Sequence, residues 1–150
     1  MRITDLHNWN MGPGEAVKLQ SELAGRVRRT RLRKTPTLIG GVDCALTADA
    51  SSVIACIVIM QLPSLNPLEI RSAIKPLRFP YVPGLLSFRE APACIAAARK
   101  LVNVPDVFIV DGQGTAHPRR FGIASHLGLF FDKPTIGCAK SRLIGQYAEP

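Results

Sequence analysis

Three carboxylates stand out by position. Asp43 interrupts an apolar run, between Val42 and Cys44. Asp111 closes the run Val-Phe-Ile-Val and precedes Gly112. Glu90 follows a proline-rich segment at the expected start of a helix, next to Arg89. An unpaired charge buried at the Asp43 position costs several kcal/mol, on the order of the 3–5 kcal/mol of a broken buried pair, so that residue must be exposed, paired or bound to a cation. If the three acids converge, they offer all-oxygen ligands to a hard divalent ion such as magnesium or manganese. Such a site suits phosphodiester hydrolysis, in which a metal activates water and stabilises the leaving oxygen. The competing reading is ordinary: Asp43 paired with an arginine, Glu90 as a first-turn helix acid, Asp111 in a turn.

Further candidates lie close to these acids in the chain. The loop Asp111-Gly-Gln-Gly-Thr-Ala-His117-Pro-Arg119-Arg120 combines glycines, which let a backbone approach a ligand, with a histidine able to move a proton and with phosphate-pairing arginines. It is not a Walker loop, because no Gly-Lys-Ser/Thr follows. The stiff segment Pro80-Tyr81-Val82-Pro83-Gly84-Leu85-Leu86 is either a wedge for stacked bases or an apolar loop packed on its own core. Lys140 either steadies a phosphate or is a solvated surface lysine. His126 reads as a bonded structural histidine, and His7 and Trp9 carry no pattern.

The elements that must position these residues follow from periodicity. Ala16, Leu19, Leu23 and Val27 share one face of a helix expected over 14–27. Its end runs into Arg26, Arg28, Arg29, Arg31, Arg33 and Lys34, six basic residues in nine positions. They either complement the carbonyl end of that helix or form a phosphate-contact stripe. Strands are expected over 38–46, 52–62 and 68–74, joined by short turns as an antiparallel meander. A helix over 88–101, with Pro92 in its first turn, a strand over 107–111, a helix over 121–131 and a strand over 135–139 complete the order βββαβαβ. That order implies an α/β fold: a mixed five-stranded sheet with helices on its faces.

Composition bounds the class. The chain has 150 residues, one domain's worth, and 47% are apolar, enough for a core. Its net charge of +8 favours a polyanionic partner, nucleic acid or an anionic surface. The longest apolar run is Val53 to Met60, far short of the roughly 20 residues of a spanning helix, so no membrane partner of that kind is expected. No secretory signal is read at the N-terminus. Cys44, Cys56, Cys94 and Cys138 are widely spaced and form no CxxC pair. They are expected to be buried free thiols in a reducing cytoplasm.

Four blocks together resemble the endonuclease V family: GVDCAL (41–46), PYVPGLLSFREAP (80–92), DGQGTAHPRRFGIASHLG (111–128) and PTIGCAKS (134–141). The resemblance covers nearly the whole chain. It implies a ribonuclease H-like fold in a single domain over 1–150, with an N-terminal helical arm over 1–36. It implies Asp43, Glu90 and Asp111 as metal ligands, with His117 and Lys140 beside them near the scissile phosphate. It makes Tyr81 the wedge, with Pro83 in the same motif. Gly84, Leu86 and Gly112 fall near the pocket for a flipped hypoxanthine, and Arg89 and Arg119 are counted with the nucleic-acid contacts. The implied reaction is hydrolysis of the second phosphodiester bond 3′ to a deaminated base, in DNA or in inosine-containing RNA, with magnesium or manganese. The family's chains are longer. A C-terminal portion that supplies a further metal-site side chain is therefore expected to be missing, which leaves a non-catalytic nucleic-acid-binding domain as the alternative.

Overall fold

In the computed structural model, which describes residues 1–146, β1 (Leu38–Leu46), β2 (Ser52–Gln61) and β3 (Asn66–Pro76) form the antiparallel meander. β4 (Val107–Asp111) then joins the other side of β1 in parallel, and β5 (Thr135–Cys138) joins β4 in parallel. The sheet order is β3-β2-β1-β4-β5, a mixed sheet as expected. The crossovers carry α2 (Leu86–Ala98) and α3 (Ile123–Phe131), and α1 (Pro13–Ala24) precedes the sheet.

Alternation along β2 decides which face is the core. Val53, Ala55, Ile57 and Ile59 are buried, whereas Ile54, Cys56, Val58 and Met60 between them are only half-buried. The buried set meets α2, whose Ala91, Ala93, Ala97 and Ala98 are sealed from solvent. These small side chains let the helix backbone come close to the sheet. No described helix is long and apolar enough to cross a membrane.

α1 starts on Pro13, where a missing N–H does no harm, and the Glu15 carboxylate accepts from the Gly12 amide at 2.9 Å. It ends at Ala24, three residues before the expected Val27, with Gly25 at its cap. No basic residue lies in its last turn, so complementing the helix dipole does not explain the arginine run. Lys34 pairs with Asp106 at 3.0 Å. Among the described residues, no ion pair ties Arg26, Arg28, Arg29, Arg31 or Arg33 to an acid.

Two other expectations need correction. α2 begins two residues early, so Pro92 sits in the helix interior rather than the first turn, at the cost of one intrahelical hydrogen bond. The cysteines are free but not uniformly buried. Cys94 is buried, Cys44 and Cys56 are half-buried, and Cys138 is exposed. Cys56 lies on the sheet face turned away from the helices, and Cys138 at the end of the edge strand.

The N-terminal segment is held by the Met1 ammonium on the Leu101 carbonyl, by the Thr4 amide on the Phe130 carbonyl and, at His7, by His126. The Asn8 carbonyl can only accept, at 2.6 Å, so His7 carries its proton on Nδ1. His126 therefore donates from Nε2 to His7 Nε2 at 2.8 Å, and its Nδ1 accepts from the Ser87 hydroxyl at 3.1 Å. Trp9, Phe88 and Phe130 pack around this chain. His126 is thus a bonded structural histidine, and burial, helped by the neighbouring His7, pushes it down to about 3. An unfolded imidazole binds a proton near 6.5, so stability from this group is complete above that pH and is lost as pH falls toward 3. Denaturation midpoints between pH 8 and pH 5 should show the chain losing on the order of 1 kcal/mol per pH unit below 6.5 relative to His126→Asn. Parallel pH profiles for the two proteins would rule this out.

Candidate active site

The last registered pair between the parallel strands β1 and β4 is Val42 with Val110. The next residue on each strand is an aspartate, Asp43 and Asp111. Neighbouring strands lie about 4.8 Å apart, so the fold itself sets two carboxylates side by side. Their position is the carboxyl end of the parallel pair, where open α/β sheets bind ligands. Glu90 joins them from the fifth residue of α2, outside the first turn. None of the three follows the ordinary reading. Asp43 is exposed and has no ion-pair partner among the described residues, and Asp111 is the last residue of β4 rather than a turn residue.

These acids line a cleft of about 510 Å³. Tyr81, Pro83, Gly84, Leu86, Gly112, His117 and Lys140 line it too. Arg89 and Arg119 do not. The Arg89 guanidinium lies 5.8 Å from the Tyr81 ring centre, and Arg119 sits behind the loop with its Nη2 donating to the Gly84 carbonyl at 2.9 Å.

Charge in the cleft is unevenly compensated. Burial, with Asp43 and Asp111 adding repulsion, pushes Glu90 up to about 7 against the opposing pull of Arg89. Lys140 Nζ meets Asp111 Oδ2 at 2.9 Å, and this pairing pushes the lysine above its usual range. Asp43 Oδ1 accepts from the Cys44 amide at 2.7 Å. The donor set suits a hard divalent cation, and the mutual influence of the three acids shows that they share one electrostatic neighbourhood. Their present side-chain placement does not suit one: among the described residues, no three acid, histidine or cysteine side chains stand together as a ligating group.

The loop after β4 is shaped by close contacts. Gly112 has φ +135, and a Cβ there would stand 2.5 Å from Ile123 Cγ2. His117 is 3% exposed. Its Nδ1 accepts from the Arg119 amide at 3.2 Å, so the proton is on Nε2, which donates to the Gly84 carbonyl at 3.0 Å. Both ring nitrogens are therefore engaged, and the burial that surrounds them lowers its basicity.

Two further residues shape this site. Gln113 donates to the Ser141 carbonyl at 2.8 Å, tying the loop after β4 to the segment that bears Lys140. Gln20 also lines the cleft, from α1. Its spacing of four from Ala16 placed it on the apolar face of that helix, and a polar side chain there was the available clue.

An acid-lined cleft at the carboxyl ends of β1 and β4, in a sheet of this order, defines a ribonuclease H-like protein. The family described as endonuclease V matches residues 21–150. An endonuclease V of Dehalococcoides mccartyi (strain CBDB1) is 47% identical over 148 residues, covering 99% of this chain and 66% of that relative. The crystal structure of endonuclease V from Streptomyces avermitilis superposes with a TM-score of 0.88 at 38% identity, over 100% of this chain and 67% of that one. Endonuclease V of Ciona intestinalis, solved in complex with a 24mer DNA containing an inosine followed by a ribo-adenosine, gives 0.78 at 30% identity over 85% and 57%. The chain belongs to the endonuclease V family. It spans 66% of the length of the Dehalococcoides relative.

Because Glu90 is held up by burial and by its acidic neighbours, its ionised form destabilises the fold. Glu90→Gln should therefore raise the melting temperature at pH 8, with the gain shrinking as pH falls below 7 and the parent carboxyl takes up its proton. Thermal unfolding of both proteins at pH 8 and pH 6 checks this; a gain independent of pH would contradict it.

Proposed function

We propose that this chain is a DNA repair endonuclease that hydrolyses the second phosphodiester bond 3′ to a deaminated base. The observation that carries the reading is the exposed aromatic beside the acids. Tyr81 is 73% exposed at the rim of the same cleft, while Phe79 and Leu85 on either side of it are buried. A loop packed merely on its own core would bury the ring. A ring held outward on anchored flanks is suited to enter a base stack where a deaminated base has been extruded. Inosine in the DNA bound by the Ciona relative supports the substrate class.

Asp43, Glu90 and Asp111 are the residues that would hold magnesium, or manganese in its place. Such an ion, when bound, supplies Lewis-acid activation of water and charge stabilisation at the leaving oxygen. The chain's own part is to bind and orient. The arginines of 26–33, free of acidic partners among the described residues, contact phosphates and set affinity without reading sequence. Lys140 is placed to steady a phosphate once it leaves Asp111. His117 serves first to hold the Gly84 carbonyl. Gly84, Leu86 and Gly112 shape the wall against which the extruded base rests. A second reading, a non-catalytic nucleic-acid-binding domain, is favoured by one observation: Asp111 is occupied by Lys140 and the acids are not gathered.

A labelled duplex with one deoxyinosine separates the two. A single cut, one nucleotide beyond the lesion and abolished by chelator, is expected; a folded chain that binds but never cuts supports the second reading. Asp43→Ala should lower nicking on the order of a hundredfold or more while sparing or strengthening binding, since a negative charge facing phosphate is removed. Undiminished nicking by that variant removes Asp43 from the mechanism. Tyr81→Ala should weaken preference for inosine more than general binding, and inosine-containing RNA in the same assay decides between the nucleic acids.

A further inference from the structure

The geometry points to Gln20 as the positioning residue of the Tyr81 loop, and through that loop of the discrimination between a deaminated and an ordinary base; the second half rests on the function proposed above. Gln20 comes from α1 and is 1% exposed. Its Nε2 donates to the Gly84 carbonyl at 3.0 Å and to the Phe121 carbonyl at 2.7 Å, and its Oε1 accepts from Arg119 Nε at 2.5 Å. The amide orientation is fixed by its partners, because two carbonyls require donors and a guanidinium requires an acceptor. One side chain thus joins three segments: α1, the loop that carries Tyr81, and the loop that carries His117.

Gly84 is where that joint bears on recognition. Its carbonyl also accepts from His117 and Arg119, and its φ of +78 closes the loop behind Tyr81. A Cβ there would stand 2.7 Å from Arg119 Nη2 and press on the guanidinium that the Gln20 amide and the Gly84 carbonyl hold. Among the described residues, Tyr81 itself is restrained through its flanks and the Arg89 contact. Entry of the ring into a stack requires the loop to be already ordered, because ordering it on binding subtracts from affinity. Phosphate contacts made by the arginine run need no such order. Loosening Gln20 therefore lowers selectivity and leaves general affinity in place.

The test uses the whole chain with Gln20→Leu and Gln20→Glu. The glutamate keeps an acceptor for Arg119 and loses both donations, so it separates the hold on the Gly84 and Phe121 carbonyls from the hold on Arg119; it also keeps the volume if the leucine variant folds poorly. Chymotryptic cutting after Tyr81 should rise about tenfold in both, while cutting after the buried Phe108 keeps the parent rate, which separates local release from global unfolding. The ratio of affinities for inosine and undamaged duplexes, measured by anisotropy with calcium, should fall about tenfold, with undamaged binding within about twofold of the parent. Parent-rate cutting after Tyr81 in the folded variants overturns the positioning role. A parent chain without inosine preference counts against the proposed function instead, and the proteolysis then decides Gln20 by itself.

Discussion

Like charges on neighbouring parallel strands are the constraint on which the rest of the molecule depends. Once β1 and β4 pair in register through Val42 and Val110, Asp43 and Asp111 must lie next to each other. Glu90 then arrives from α2, which reaches the sheet closely because its buried face is largely alanine. Three acids in one cleft are stable only with compensation. Asp111 takes Lys140, Asp43 takes the Cys44 amide, and Glu90 yields by holding its proton more tightly. The cleft is a place where the fold accepts electrostatic cost, which is common where structure serves chemistry rather than stability.

The arginines divide into two kinds by what surrounds them. Arg119 spends its guanidinium inward, on Gln20 and the Gly84 carbonyl, and Arg71 pairs with the buried Glu69 at 2.9 Å. Those of 26–33 have no such use among the described residues. Charge alone did not separate the two groups; the positions of carbonyls and carboxylates did. The histidines are likewise spent inward: His126 engages His7 and the Ser87 hydroxyl, and His117 engages the cleft loops.

Much of this was legible from the amino-acid order. The meander was visible because Val53 to Met60 is an unbroken apolar run rich in β-branched residues, set off by short turns, and Asp43 was visible because it broke an apolar run. The end of α1 was misplaced because Val27 continues the helical spacing, although Gly25 ends the helix first. The start of α2 was misplaced because Pro92 was assigned to a first turn, whereas packing of Leu85 and Phe88 into the small core around Ala16 starts the helix earlier. Gln20 was missed for a different reason. Its place on the apolar face of α1 marks it, but its three partners are distant in sequence, two of them backbone carbonyls with no side-chain signature. Burial of the cysteines was overestimated because neighbouring apolar residues do not reveal which sheet face lacks a helix.

The contact between Trp9 and the His7–His126 pair gives the protein an intrinsic optical reporter. Trp9 is the single tryptophan, with its ring 4.5 Å from His7 and stacked on Phe130 at 5.3 Å. Indole emission shifts to the red as water reaches it, so its colour follows whether the first residues lie against α3. Peeling of the N-terminal segment can thus be followed in an unlabelled sample.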